Sequence, residues 1–333
     1  MKKAKKPNKR NNRCLEDTGW QEVKVAVLTR DGFEIRGQEL PSCGPNQILV
    51  KATACGICEG EVFYYRNRAT LLQDEAVLGH EGSGFVAALG RNVEGFEEGD
   101  AVTALDGAFA EYFLASPESL VKLPEGLDPR WALGEPVACY VHAGNRFGVK
   151  LGDNVAVLGC GFMGLGCLQL ARLQGAAFVC AIEPIRWRLD MARKLGADAV
   201  HSPETDNAEG LVQKHGEFDV VIEATGVQSA IDMAGNLVKQ HGRIILVGYH
   251  QSNEGMRTVN MKQWNYKAID VVNGHVRRDY EKLRAMQAGI DLIRTGRLVI
   301  KPLVEQYPLS EVEKAFHDLI ARKEGLFKAA LTS

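Results

Sequence analysis

The chain has 333 residues, of which 45% are hydrophobic and 25% are charged, an ordinary composition for a globular protein with room for two cores. With a formal net charge of -2, the protein has no strong electrostatic attraction to nucleic acid or to an anionic membrane. This charge favours a small-molecule partner. No apolar run approaches the roughly 18 residues of a membrane span, and the N-terminus lacks the apolar core of a secretory signal. We therefore expect a cytoplasmic protein.

The first residues form a basic segment. Seven lysines and arginines lie between Met1 and Arg13, with almost nothing apolar among them. This composition predicts a disordered tail over residues 1–19. A nucleic-acid or lipid-binding arm is the less favoured alternative, because the segment has no aromatic residues to stack on bases and no amphipathic face.

The segment from Val23 to about Ala115 predicts an irregular, mostly β domain. Short apolar runs broken by glycine and proline predict strands at 23–28, 47–54, 84–89, 101–104 and 110–114. We expect this region to form one of two domains.

After Glu135-Pro136 the pattern changes to strands that alternate with helices. Apolar runs predict strands at 155–158, 178–182, 220–223 and 244–247, with helices at 163–174, 186–195 and 230–238. Continuous apolar strands are typical of a parallel sheet covered by helices on both faces. The fold class is therefore α/β, with a doubly wound parallel sheet beside the β-rich domain.

The C-terminal part predicts helices at 280–295 and 310–322 and a short strand at 327–331, which we expect to return to the first domain. The predicted architecture is a catalytic domain formed by residues 20–137 and 275–333. A dinucleotide-binding domain, residues 138–274, is inserted into it, and the active site lies in the cleft between the two.

A glycine fingerprint follows the predicted strand 155–158. Its residues are Gly159, Cys160, Gly161, Phe162, Met163 and Gly164. Glycines at this spacing permit a tight turn, close approach of a pyrophosphate and packing of a helix on the sheet. The alternative is a structural turn, but it would leave the acidic Glu183, about 20 residues further on, without explanation.

Glu183 favours NAD over NADP as the cofactor, because a carboxylate at the ribose hydroxyls repels a 2′-phosphate. Arg186 and Arg188 follow closely and keep NADP open, since an arginine at this place can receive that phosphate.

Four residues predict a metal site: Cys58, His80, Glu81 and Glu135. A thiolate, an imidazole and a carboxylate suit zinc, and three protein ligands with one open position are typical of catalytic zinc. Cys55-Gly-Ile-Cys58 alone would also fit a redox pair or half of a structural zinc site. Gly-His80-Glu81-Gly-Ser-Gly predicts a flexible turn that aims both side chains one way.

In their order along the chain, these motifs resemble the zinc-dependent medium-chain alcohol and polyol dehydrogenases. The matching segments are Gly56-Ile57-Cys58, Gly79-His80-Glu81-Gly82, Gly99-Asp100-Ala101-Val102, Glu135-Pro136 and the glycine fingerprint. The resemblance implies a GroES-like catalytic domain and a Rossmann domain. It also implies that Cys58, His80 and Glu135 hold the zinc. Glu81 would be an exchangeable fourth ligand or bind the zinc water, as in the sorbitol and threonine dehydrogenase branch.

The resemblance also implies cofactor contacts. Arg188 corresponds to the basic residue that touches the adenosine ribose, and Val247-Gly248-Tyr249 to the segment whose backbone holds the nicotinamide amide. Lys328 falls where a basic residue meets the pyrophosphate, with a surface lysine as the alternative.

Two departures from the family pattern change the expected chemistry. No cysteine lobe follows Asp100, so we expect one catalytic zinc and no structural zinc. After Cys58, the family's hydroxyl residue is replaced by Gly60, and its histidine by Phe63, so neither position can relay a proton. Glu61 is expected to orient the metal-bound histidine. The alcohol proton would leave through zinc-bound water, Glu59, Glu81 or His275.

We therefore expect a zinc-dependent oxidoreductase that transfers hydride between a secondary alcohol and NAD. Polar residues near the metal motif suggest a polyol, inositol or sugar derivative: Glu59, Glu61, Tyr64, Tyr65 and Arg66. The alternatives are a catalytically silent dinucleotide-binding protein and an NADPH-dependent carbonyl reductase. The resemblance implies a homo-oligomer, a dimer or tetramer, for which residues 268–272 could provide an edge strand.

Overall fold

The computed structural model of the protein describes residues 22–333. The basic tail predicted over residues 1–19 lies outside the described residues. Within 22–333, no helix is both long and apolar enough to cross a bilayer.

A small sheet stands at the start of the described chain. It contains β1 (Glu22–Leu28), β2 (Phe33–Glu39) and β4 (Ala76–Val77), with β1 in the centre and both pairings antiparallel. The buried face of β1 packs with Tyr65, Phe109 and Phe316, which belong to later segments. The sheet thus closes one side of the β-rich part.

A seven-stranded sheet contains one metal-ligand candidate, Glu81, and positions Cys58 and His80 just outside its strands. Its strands are β3 (Ile48–Gly56), β5 (Glu81–Leu89), β6 (Ala101–Ala104), β7 (Tyr112–Ala115), β8 (Leu120–Lys122), β15 (Val304–Pro308) and β16 (Lys328–Thr332). The order is β15-β16-β3-β5-β6-β8, and β7 pairs with β3. Ala330 of β16 faces Gly56 of β3 in an antiparallel pair, which confirms the expected return of the C-terminal strand to the β-rich part.

A six-stranded sheet forms the second large sheet of the fold. Its strands are β9 (Asn154–Leu158), β10 (Phe178–Ile182), β11 (Ala199–His201), β12 (Phe218–Glu223), β13 (Val238–Leu246) and β14 (Asp270–Asn273). The order is β11-β10-β9-β12-β13-β14, and every pairing is parallel. The order reverses at β9, so a crevice opens at the carboxyl ends of β9 and β12, where ligands bind in such sheets.

Helices cover both faces of this parallel sheet and confirm the doubly wound prediction. Val155 and Val157 of β9 belong to one apolar cluster, whereas Ala156 and Leu158 belong to another on the opposite face. Burial on both faces explains why these strands have continuous apolar sequences. The helices in chain order are α1 (Glu59–Arg66), α2 (Arg68–Leu71), α3 (Gly134–Gly144), α4 (Phe162–Leu173), α5 (Arg186–Lys194), α6 (Ala208–His215), α7 (Gln228–Leu237), α8 (Met261–Lys267), α9 (Asp279–Arg294) and α10 (Val312–Ile320).

Three local features differ from the sequence predictions. Helix α1 begins directly after Cys58, in a segment for which no helix was predicted. Helix α3 contains Glu135, in a segment of the predicted catalytic domain for which no helix was predicted. The predicted flexible turn around His80 is wrong in part, because Glu81 is the first residue of strand β5 and is buried.

Candidate active site

Three of the four predicted metal ligands converge. One ligand atom each from Cys58, His80 and Glu81 lies within 4.8 Å of the others, and no other such group occurs among residues 22–333. Cys58 and His80 are partly exposed, whereas Glu81 is buried. A sulfur, a nitrogen and an oxygen donor at one partly open place fit a zinc ion.

Strand pairing brings these ligands together. Gly56, at the end of β3, faces Glu81, at the start of β5. Two residues after Gly56, Cys58 caps the N-terminus of α1, and its backbone N–H donates to Oε2 of Glu61 at 2.8 Å. Cys55 is fully buried, and burial raises the pKa of its thiol, so Cys58 alone of this pair presents its sulfur to the cluster.

Glu61 orients His80, as the sequence predicted. Its Oε1 lies 3.1 Å from Nδ1 of His80 and also accepts the backbone N–H of Gly79 at 2.8 Å. A proton held at Nδ1 leaves Nε2 as the ligand atom of the imidazole. Hydrogen bonds to Cys58 and Glu61 raise the pKa of His80 to about 11 in the metal-free protein.

Lys328 forms a buried ion pair with Glu81. Its Nζ donates to Oε1 of Glu81 at 2.6 Å, and the two residues are 7% and 1% exposed. The alternative of a surface lysine is therefore wrong. Burial opposes the charge on Lys328, but Glu81 raises the pKa of the ammonium and keeps it protonated. Oε2 of Glu81 also lies 2.6 Å from Nζ of Lys328, so the ammonium group faces both oxygens of this carboxylate.

Glu135 stands apart from the three converging ligands. Its Oε1 accepts a hydrogen bond from Nζ of Lys282 at 2.7 Å and lies 3.6 Å from Sγ of Cys139. Burial opposes the charge on Lys282, but Glu135 raises the pKa of the ammonium. The carboxylate predicted to hold the zinc is thus paired with a lysine that sequence reasoning missed. Asp279-Tyr-Glu-Lys282 gives no signal, since a lysine in the first turn of a helix is commonly a surface residue.

The glycine fingerprint forms the turn between β9 and α4. Gly159 has φ +93, and a Cβ on Gly164 would lie 1.9 Å from the carbonyl oxygen of Gly159, so both positions require glycine. A Cβ on Gly161 would meet nothing within 4 Å, so open space lies in front of the helix N-terminus. This cradle fits a pyrophosphate. Phe162 and Met163 begin α4, and Nζ of Lys328 lies 5.6 Å from the Phe162 ring centroid, which joins the cradle to the metal-ligand cluster.

Glu183 follows strand β10 directly and lies beside this turn. Its Oε2 accepts the backbone N–H of Cys160 at 2.8 Å, and Nη1 of Arg188 lies 4.0 Å from the same oxygen. The buried Nε of Arg188 has no hydrogen-bond partner among the described residues. An acidic residue and an unpartnered arginine nitrogen beside the cradle fit the ribose end of a dinucleotide.

The segment Val247-Gly248-Tyr249 follows β13 at the same edge of the sheet. The backbone N–H groups of Val247 and Gly248 both donate to the carbonyl of Glu223, at 2.8 and 2.9 Å. Nε2 of His275 lies 3.2 Å from the Gly248 carbonyl, which only accepts, so the imidazole donates from Nε2. Burial lowers the pKa of His275 and keeps it neutral. The structure thus attaches His275 to this backbone.

A cavity of about 350 Å³ opens beside His80. It is lined by Gly60, Glu61, Tyr64, Ala76, Val77, Leu78, Gly79 and His80. Three of the predicted polar residues, Glu59, Tyr65 and Arg66, do not line it. Tyr65 bonds to Glu313, and Arg66 is exposed. Glu59, the first residue of α1, is also exposed.

Two family models match the chain. The alcohol dehydrogenase GroES-like domain matches residues 44–125, and the zinc-binding dehydrogenase model matches residues 163–290. The first match covers Cys58, His80 and Glu81, and the second covers the parallel sheet from α4 onwards.

Similar proteins span nearly the whole chain. Sorbitol dehydrogenase of Gallus gallus is 27% identical over 92% of this chain and 95% of its own length. L-threonine 3-dehydrogenase of Caldanaerobacter subterraneus subsp. tengcongensis is 28% identical over 91% of this chain and 96% of its own. A structure from Sinorhizobium meliloti 1021, assigned to the zinc-binding dehydrogenases and bound to NADP, superposes with a TM-score of 0.83 at 26% identity, covering 94% of this chain and 100% of that one. The chain therefore belongs to the zinc-dependent medium-chain alcohol and polyol dehydrogenases.

Proposed function

We propose that this protein is a zinc-dependent oxidoreductase that transfers hydride between a secondary alcohol and NAD. The observation that carries the proposal is the convergence of Cys58, His80 and Glu81 beside a cavity of about 350 Å³. Lys328 links this cluster to the glycine turn that fits a dinucleotide. We assign the catalytic part to residues 20–137 and 275–333 and the dinucleotide-binding part to residues 138–274.

The chain's own residues bind and orient the reactants. When bound, zinc polarises the substrate oxygen as a Lewis acid, and the nicotinamide accepts the hydride. Cys58 and His80 supply a thiolate and an imidazole to the metal, and Glu61 fixes the imidazole tautomer. Glu81 would supply an oxygen to the metal, and Lys328 balances its negative charge.

Glu135 is proposed as a further metal ligand. Its carboxylate would release the ammonium group of Lys282 when it binds zinc. Its pairing with an ammonium group supports this role, because the carboxylate already binds a cation at that place. With Cys58, His80 and one or both glutamates, the set leaves a coordination position open for substrate. One zinc per chain is expected.

Two features support the choice of NAD and of a polyhydroxylated substrate. Glu183, beside the glycine turn, would accept ribose hydroxyls and repel a 2′-phosphate, although Arg188 lies nearby. Tyr64 lines the cavity together with Glu61 and His80, so hydroxyl groups beyond the reacting carbon would meet polar partners. A polyol, inositol or sugar derivative fits this surface.

A homodimer is proposed through strand β14. This strand is at the edge of the parallel sheet, and Val271 is 45% exposed there. Met261 and Tyr266 of the neighbouring helix α8 are 55% and 82% exposed, so the edge carries an uncovered apolar surface. A second copy that pairs with β14 would bury it.

The decisive experiment combines zinc content with turnover. Elemental analysis of the purified protein should give about one zinc per chain, which is lost in Cys58→Ala and kept in Cys43→Ala. The zinc-loaded protein is then assayed with NAD and NADP against sorbitol, inositol and 2,3-butanediol. Two zincs per chain would reveal a structural site, and zinc unaffected by Cys58→Ala would contradict the assigned ligands. Tight NADH binding without turnover would favour a catalytically silent protein.

A further inference from the structure

Tyr249 reaches from the nicotinamide-side segment to the metal-ligand cluster. A Cβ built on Gly60 would lie 3.9 Å from Sγ of Cys58 and 3.9 Å from Cε1 of Tyr249. Cε1 is bonded to the carbon that carries the phenol hydroxyl. An edge of the ring and the sulfur of Cys58 therefore both border the space in which Gly60 has no side chain.

The same side chain is open to solvent. Tyr249 is 50% exposed, and its hydroxyl makes no hydrogen bond with any residue that the structure describes. Its ring contacts His275, with 6.2 Å between the centroids. One edge of the phenol thus faces the cluster and the rest of the residue faces water.

Three nearby acid and base groups already have partners. Glu81 is paired with Lys328, and Glu61 accepts from Cys58, Gly79 and His80. His275 donates from Nε2 to the Gly248 carbonyl. A proton that leaves an alcohol at the cluster needs a hydroxyl or a water to carry it, and Tyr249 supplies the hydroxyl.

The backbone of Tyr249 is held from several sides. A Cβ on Gly226, which has φ +76, would lie 2.6 Å from the Tyr249 carbonyl oxygen, so the two segments touch. The preceding residue Gly248 donates to the Glu223 carbonyl at 2.9 Å, and its own carbonyl accepts from His275. A phenol on a fixed backbone is preorganised for proton transfer.

We propose that Tyr249 is a catalytic residue that carries the substrate proton to solvent. The inference rests on the proposed dehydrogenase function. The alcohol O–H bond breaks as its proton passes to the phenol oxygen, and the phenol's former proton passes to water. The electrons of the carbinol C–H bond leave as hydride to the nicotinamide, so the products are a carbonyl compound, the reduced dinucleotide and one proton.

The test compares Tyr249→Phe with Tyr280→Phe, a matched loss of one phenol hydroxyl at a residue that is 64% exposed. Turnover of the zinc-loaded protein is measured on the alcohol in the panel above that the wild type oxidises fastest. Affinity for NADH is measured by fluorescence titration. Tyr249→Phe should lower kcat by about 10²-fold or more. Its Kd for NADH and its zinc content should stay at the wild-type values, and Tyr280→Phe should behave as wild type.

A hydroxyl introduced at Gly60, on the other side of the same space, tests whether Tyr249→Phe loses activity through lost proton transfer or through a changed shape of the site. A Cβ at Gly60 makes only ordinary contacts, so Gly60→Ser fits and brings a hydroxyl to the same space. In the Tyr249→Phe background it should recover kcat by about tenfold or more, and the solvent deuterium isotope effect on kcat should return towards the wild-type value.

Two results would overturn the inference alone. The first is a Tyr249→Phe variant whose kcat is within about threefold of wild type, well short of the contribution of a proton carrier. The second is a loss of kcat that matches a loss of NADH affinity and does not respond to Gly60→Ser. A wild type that oxidises no alcohol in the panel would instead overturn the proposed function and this inference with it.

Discussion

The site has a metal half, the cluster of Cys58, His80 and Glu81, and a dinucleotide half, the glycine turn. Different interactions stabilise the two. Around the metal-ligand cluster, buried charges are held by other charges: Glu81 by Lys328, His80 by Glu61 and Glu135 by Lys282. Around the glycine turn, the cradle consists of backbone, and its shape depends on glycines that admit no Cβ. A charge network fails when one partner is neutralised, whereas a backbone cradle fails when atoms are added.

The largest effect is expected from Lys328→Met in the metal-free protein. The substitution leaves Glu81 buried without a cation, which should lower the free energy of unfolding by about 3–5 kcal/mol. Zinc gives Glu81 another cation, so saturating zinc should restore more stability to the variant than to wild type. Chemical denaturation with and without zinc measures both effects. Lys122→Met breaks the more exposed pair with Asp100 and should cost at most about 1 kcal/mol. Equal losses of unfolding free energy in Lys328→Met and Lys122→Met would contradict the expected difference between the buried and the exposed ion pair.

Substitutions at two glycines of the same turn test the dinucleotide half. Gly164→Ala forces a Cβ against the Gly159 carbonyl and should destabilise the fold by about 1–3 kcal/mol. Gly161→Ala has free space in the protein alone, so its melting temperature should equal that of wild type. It should nevertheless weaken NADH binding by about tenfold, or about 1.4 kcal/mol, because the added methyl group occupies the cradle. Thermal melts and fluorescence titration distinguish the two, and unchanged NADH affinity in Gly161→Ala would place the pyrophosphate elsewhere.

Glu61→Gln removes a charge from the metal half and preserves its shape. The amide oxygen still accepts from His80, but the lost negative charge should weaken zinc binding by about 10–100-fold. Competition with a chromogenic chelator measures this affinity. Glu75→Gln, at an exposed carboxylate paired with Arg36, provides the control and should leave zinc binding unchanged. An unaltered affinity in Glu61→Gln would mean that His80 does not ligate the metal through an imidazole that Glu61 orients.

The smallest effect concerns the proposed exchange at Glu135. Lys282→Met removes the ammonium that competes with zinc for this carboxylate and should tighten zinc binding by about threefold. The double variant Lys282→Met/Glu135→Gln should lose this gain, because the carboxylate itself is absent. If the gain persists in the double variant, Glu135 is not a ligand and Lys282 acts only through its charge.

The sequence predicted the two halves unequally well. The parallel sheet, the glycine turn and Glu183 follow from local signals, because strand burial and tight turns leave their pattern in neighbouring residues. The pairing of Glu61 with His80 was also predicted, from its place after Cys58. Lys282 was missed because it meets Glu135 only through the packing of α9 against α3, and no local pattern encodes that contact. Lys328 was predicted to contact cofactor, but its burial against Glu81 depends on the pairing of β16 with β3.

The position of Lys328 also sets when the site can form during protein synthesis. Cys58, His80 and Glu81 lie close together in the sequence, but Lys328 of β16, which supplies the cation for Glu81, is translated 247 residues after it. Until then Glu81 would face the apolar interior with an unbalanced charge, and the edge of β3 would lack its neighbour. The metal site is thus completed by a long-range loop closure, and the buried charge of Glu81 is balanced by Lys328 only once β16 has paired with β3.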